Sequence, residues 1–84
     1  MIEQKLKKFM KKELLYKKLS TIFDLDVNKI KSELIIKSIR NWDSLKHMQL
    51  IFFIEKELKK ELNQKIIDKI KKVIDIEKIF KSEK

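Results

Sequence analysis

Neither glycine nor proline occurs anywhere in this chain of 84 residues. These two residues are the main punctuation of backbone structure. Proline cannot continue a helix, and glycine is the default wherever the chain must turn through a left-handed conformation. A chain that uses neither, and is rich in Lys, Glu, Leu and Ile, is made of good or tolerable helix formers almost throughout. The expected fold class is all-α. Ile also favours strands, but Ile and Lys rise together in base-biased genomes, so that preference is discounted. At this length the chain forms one small domain, residues 1–84, near the lower size at which a hydrophobic core suffices by itself.

The same composition excludes several function classes. There is no cysteine, which removes disulfide frameworks and cysteine-type zinc sites. With a single histidine, a metal site would have to be mainly carboxylate, and no acidic cluster suggests one. The longest apolar run, residues 50–54, is far too short to span a bilayer. Glu3 and Lys5 interrupt the first residues, unlike a secretory signal, and the scarcity of Arg and Ser there disfavours a transit peptide. A soluble, cytoplasmic protein is expected. The formal net charge is +9, which invites a nucleic-acid or membrane-surface role. Its distribution argues otherwise. Residues 1–20 hold seven Lys against two Glu and residues 64–84 seven Lys against four acids, whereas residues 43–63 carry four charges of each sign. The excess lies at the two ends.

Apolar spacing organises the chain into helices. Ile2, Leu6, Phe9 and Met10, then Leu15, Leu19, Ile22 and Phe23, recur at helical intervals and predict one long helix or two joined ones over residues 2–23. The Lys-rich residues 1–11 read as a helical extension. Asp24, Asp26 and Asn28 supply the first turn signals. Residues 24–42 then form a long connection that should pack down on Leu25, Val27, Ile30, Leu34, Ile35, Ile36 and Ile39, with short helical turns within it. Connections of this length in a compact domain are often functional. A second long helix is expected from Asp43 or Ser44 to about Lys60, with Asp43 as its N-cap. Along it, Leu50, Phe53, Ile54, Leu58 and Leu62 suit a buried stripe, and Leu45, Met48 and Phe52 make a second one. A short helix of two turns follows at Ile66, Ile67 and Ile70. Asp75 is expected to cap a last helix whose Ile76, Ile79 and Phe80 face inward. Residues 82–84 read as a frayed tail.

Ser44 stands where the polar turn becomes the second helix. A helix start presents unpaired N–H groups and the positive end of the helix dipole, so it favours an attached anion such as a phosphate ester. The bland alternative is an ordinary helix-start serine, and the tripeptide Asp43-Ser44-Leu45 alone favours that.

The longer run reverses the balance. Trp42-Asp43-Ser44-Leu45-Lys46-His47-Met48-Gln49-Leu50-Ile51, followed by Ile54-Glu55, resembles the acyl carrier protein family. The family's signature is Asp-Ser-Leu with the serine at the start of the second helix and an Ile/Leu-Glu pair further along. Leu15–Ile30 resembles the end of the family's first helix and the start of its loop, and Ile66–Ile70 and Val73–Phe80 resemble its third and fourth helices. The likeness covers about residues 12–82, in order. It implies a small four-helix bundle of the acyl-carrier type, with a long loop between helices 1 and 2 and a short third helix. It implies that Ser44 carries 4′-phosphopantetheine through a phosphodiester, a cofactor that brings its own thiol and so agrees with a chain without cysteine. Asp43 would orient the phosphopantetheinyl transferase and its metal. Leu45, Lys46, Met48 and Phe52 match positions that face the enzymes which load and transfer acyl or aminoacyl groups. The implied protein is a monomeric carrier with no turnover of its own. Many members are acidic along the second helix, whereas Lys46 and Gln49 stand here where acids are common. That points to a dedicated pathway, as in polyketide, nonribosomal, surface-sugar or lipid chemistry, rather than housekeeping fatty-acid synthesis. The family's usual loop Gly and Pro are missing, so the loops should be more helical than is typical.

The other conspicuous residues have plainer readings. His47 is expected to face solvent or sit at the rim, since no paired carboxylate makes it a catalytic base. Trp42 is expected to anchor the loop on the bundle, and Asp24 and Asp26 to form turns. The alternative function is a basic helical module that binds nucleic acid or a membrane surface. Arg40 is the only arginine and aromatics do not interleave with the basic runs, which disfavours it.

Overall fold

The computed structural model describes residues 12–82, so the helical extension expected over residues 1–11 lies outside it, as do residues 83–84 of the expected frayed tail. Among the described residues there are four α-helices and no strand: α1 Lys12–Phe23, α2 Ser44–Leu58, α3 Gln64–Asp68 and α4 Val73–Ser82. The class is all-α, with a long connection between α1 and α2 and a short α3.

The core follows the helical spacing. Leu15, Leu19 and Phe23 of α1, Leu50, Ile51 and Ile54 of α2, and Val73, Ile76 and Phe80 of α4 are buried together. Each such side chain contributes roughly 1.5–3 kcal/mol on removal from water. Within α2 the buried stripe is shifted from the expected one: Ile51 is buried, while Phe53 and Leu58 are half-buried. No polar or charged residue is buried among the described residues.

The long connection packs down, as its apolar residues demand. Ile30, Ile36 and Ile39 enter the core and Leu25 and Leu34 pack against it, whereas Val27 and Ile35, also expected to pack down, stay exposed on 3-10 turns and their flanks at Val27–Lys29 and Ile36–Ser38. Its backbone is tied to the link before α4. The Ile36 N–H donates to the Lys71 carbonyl at 2.9 Å, the Val73 N–H to the Leu34 carbonyl at 3.0 Å and the Ile74 N–H to the Ser32 carbonyl at 2.9 Å. The first two frame an isolated antiparallel bridge between Ile35 and Lys72. Side chains add a second tie. The Tyr16 hydroxyl of α1 and the Ser32 hydroxyl of the connection donate to Glu77 Oε2 of α4, at 2.6 and 3.0 Å. Burial, then the Glu77 hydrogen bond, push the Tyr16 phenol above its ordinary pKa of 10.0.

A chain without glycine still has to reverse direction. Asp24, Asn41 and Lys59 take left-handed conformations, with φ of 56°, 63° and 58°. Asp and Asn tolerate this region better than most residues. Asp24 ends α1 and Lys59 ends α2, each followed by an N–H that reaches back five residues: Leu25 to the Ser20 carbonyl and Lys60 to the Glu55 carbonyl. This is the Schellman pattern. It stops α2 at Leu58, short of the expected Lys60.

Two other boundaries differ from expectation. The third helix is five residues, Gln64–Asp68, because Asn63 caps it and the chain leaves the helix at Lys69. Asp75 caps the last helix as expected, but from inside it and not from the position before it. That helix begins at Val73, and the Asp75 carboxylate sits inside its first turn, accepting the N–H groups of Lys71 at 3.0 Å and Lys72 at 2.9 Å. This is the reach-back half of a capping box, a different way of satisfying the same start.

Candidate functional site

The candidate site is assembled by the turn that leads into α2. The Trp42 N–H donates to the Ile39 carbonyl at 3.0 Å, closing a tight turn with left-handed Asn41 inside it. Trp42 then packs edge-on against Phe23, ring centres 5.4 Å apart, which pins the turn to the end of α1. Such pairs add about 0.5–1.5 kcal/mol beyond area burial. Trp42 also meets His47 edge-on at 6.1 Å. Its Nε1–H is buried and finds no acceptor among the described residues. An unsatisfied buried donor costs about 1–3 kcal/mol.

Asp43 follows in an extended conformation and caps α2. Its Oδ1 accepts the Lys46 N–H at 2.9 Å, and its carbonyl accepts the His47 N–H at 3.0 Å. Ser44 is therefore the first helical residue, and it is exposed. The N–H groups of Ser44 and Leu45 have no acceptor among the described residues. An anion held there gains about 0.3–1 kcal/mol from the helix dipole.

Beside Ser44 lies an open hollow of ≈ 540 Å³, bounded by Lys37, Trp42, Asp43, Ser44, His47 and Met48. Lys37 reaches it from the 3-10 turn Ile36–Ser38, so two separate segments form its walls. On the same helix, Leu45, Met48 and Phe52 are 65%, 52% and 59% exposed, an apolar stripe left outside the core. Lys46 is half-buried and Gln49 exposed. A second hollow, ≈ 380 Å³, lies between α3 and α4 along Leu62, Ile66, Ile70 and Ile79, and shares no residue with the first.

Ser44, Asp43, Leu45, Met48 and Phe52, singled out from the sequence, thus share one end and one side of α2. Lys46 belongs to the same first turn through its backbone N–H. His47 is half-buried against Trp42 rather than fully solvent-facing. Lys37 escaped sequence reasoning. It is one lysine among many in a loop, and nothing local signals that the 3-10 turn carries it to Ser44's hollow. Among the described residues no group of His, Asp and Glu could hold a metal ion, and no helix is long and apolar enough to cross a membrane.

Comparison with protein-family models, with curated proteins and with solved structures finds no match. Function therefore rests on the residues.

Proposed function

We propose that the protein is an acyl carrier that holds acyl or aminoacyl groups as thioesters on a 4′-phosphopantetheine arm attached to Ser44. The observation that carries this reading is an exposed serine hydroxyl on the first residue of a helix whose leading N–H groups are unpaired, with a hollow and an exposed apolar stripe beside it. The residues fit the group. The helix start favours the phosphodiester anion, and the hollow offers a cation and apolar walls. When bound, the arm supplies the thiol that this chain lacks.

Attachment needs coenzyme A and a phosphopantetheinyl transferase. The Ser44 hydroxyl loses its proton to a base of the transferase, and its oxygen bonds to the pantetheine phosphorus. The pyrophosphate link of coenzyme A breaks, and adenosine 3′,5′-bisphosphate leaves with the bonding electrons. Asp43 orients the transferase while it caps α2. Leu45, Met48 and Phe52, with Lys46 at the helix start, form the face that loading and transferring enzymes read. The chain itself turns nothing over. Its basic character fits partners of a dedicated cytoplasmic pathway, met by a monomeric carrier.

Intact mass after incubation with coenzyme A and a broad-specificity transferase tests this. One arm is added to the native chain and none to Ser44→Ala. No gain, or a gain that survives the substitution, removes the proposal. Salt-sensitive retention on DNA with unchanged mass supports a basic nucleic-acid module instead.

A further inference from the structure

We infer that the hollow beside Ser44 is the resting seat of the arm, with Lys37 as the positioning residue that holds its phosphodiester and Trp42 as the wall along which it lies. This deepens the carrier reading and rests on it.

The hollow opens at Ser44 itself, so a group bonded to that oxygen starts at its edge. Its ≈ 540 Å³ falls within the range of about 300–1,000 Å³ typical of small-molecule sites. The lining suits an arm of mixed chemistry. Lys37 brings a cation from outside the helix, and it has no ion-pair partner among the described residues. Trp42 and Met48 are apolar walls for the methyl-bearing part of a pantetheine chain, and His47 adds a polar ring.

The seat has a consequence for partners. Met48 lines the hollow and also belongs to the exposed stripe of Leu45, Met48 and Phe52. An enzyme that grips the stripe takes hold of a side chain that also holds the arm. Docking of the enzyme and release of the arm are thereby coupled.

Trp42 is the only tryptophan, so it reports on the seat directly. The full-length chain and its Lys37→Gln and Lys37→Arg variants are loaded with coenzyme A and a broad-specificity transferase. Mass confirms loading, and apo and loaded forms are compared by acrylamide quenching and by the indole N–H resonance. Loading should lower the quenching of Trp42, because an arm lying along this wall of the hollow covers part of the indole, and should move the indole resonance. Lys37→Gln, or high salt, should return both toward the apo values, while Lys37→Arg keeps the shielding. Lys37 is exposed, so the variants should retain the native circular dichroism. Full mass gain with Trp42 unchanged in both measurements overturns the seat and leaves the carrier reading standing. Shielding that is identical in Lys37→Gln overturns the role of Lys37. Absence of any mass gain overturns the carrier reading and the seat with it.

Discussion

The starts of α2 and α4 each use one aspartate, with opposite results. At α4 the Asp75 carboxylate takes the N–H groups of Lys71 and Lys72, and the carbonyls of Leu34 and Ser32 take those of Val73 and Ile74. Val73 is fully buried. Every leading donor of that helix has an acceptor within the protein. At α2 Asp43 takes only the Lys46 N–H, and those of Ser44 and Leu45 are left beside an exposed hydroxyl. Helix starts have the same four orphan donors in every case. A closed start contributes to stability and has nothing left for a ligand, whereas an open one keeps its capacity for an anion. The molecule therefore divides into an end held by backbone bonds and an end available for chemistry.

The sharpest way to break this comparison is Ser44→Ala. It should abolish arm attachment completely, read by intact mass, while the far-ultraviolet circular dichroism stays that of the native chain. Loss of helical signal would mean that Ser44 serves the fold, and the two starts would no longer differ in kind.

The next largest effect belongs to the closed start. Asp75→Ala removes the charged acceptor of two exposed N–H donors at a helix start and, like the loss of a cap, should cost about 0.5–2 kcal/mol. For a domain of this size each kcal/mol lowers Tm by about 4–8 °C. Arm attachment measured below Tm should be unchanged. The same carboxylate gives a pH signature. Burial pushes its pKa up, but the Lys71 and Lys72 N–H bonds, with Lys78 and Lys72 nearby, outweigh burial and hold it below the ordinary 3.8. A depressed folded pKa means stability that is present above the ordinary value and lost as pH falls through the folded one. Acid titration of stability should show this loss below pH 3.8, and Asp75→Asn should flatten it. An unchanged acid profile in Asp75→Asn would show that the closed start does not depend on that charge.

How much of this was legible in the sequence differs between the two starts. The open one is local. Trp42, Asp43, Ser44 and the stripe of Leu45, Met48 and Phe52 lie within eleven consecutive residues, so cap chemistry and helical spacing find them. The closed one is not. Its acceptors come from Ser32 and Leu34, some forty positions away, and the Tyr16, Ser32 and Glu77 bonds join residues 16 to 61 positions apart. No periodicity carries that information. For the same reason the sequence marks Asp75 as a cap without fixing its position, since spacing cannot tell a carboxylate that precedes a helix from one that reaches back from inside its first turn. Lys37 is not legible as a site residue because only the turn at Ile36–Ser38 brings it to Ser44's hollow. The absence of glycine pointed correctly to helices, yet it concealed the three left-handed reversals at Asp24, Asn41 and Lys59.

A smaller effect is expected from Asp43, where two roles can be separated. Asp43→Ala removes the cap of the open start and should cost about 1 kcal/mol. Asp43→Asn keeps the cap within a few tenths of a kcal/mol but removes the carboxylate. If Asp43 also orients the transferase, Asn should retain the native Tm and still slow arm attachment. Native attachment rates in Asn would reduce Asp43 to a capping residue and make the two starts more alike.

The smallest change in stability should come from Met48→Glu, on the exposed stripe beside the open start. Met48 is 52% exposed, and a substitution at such a position stays within about ±0.5 kcal/mol. A charge placed there should nevertheless slow arm attachment at subsaturating carrier by about tenfold, equivalent to about 1.4 kcal/mol of lost docking. The reason is desolvation. A glutamate would have to leave water to meet an apolar partner surface, whereas the methionine gains from the same contact. Comparing this rate with Tm separates the possible origins of the stripe. A large fall in Tm with normal attachment would identify Leu45, Met48 and Phe52 as part of the core. A fall in rate with a native Tm would mark them as surface kept apolar for another protein, which the closed start of α4, walled in by the chain's own backbone, does not need.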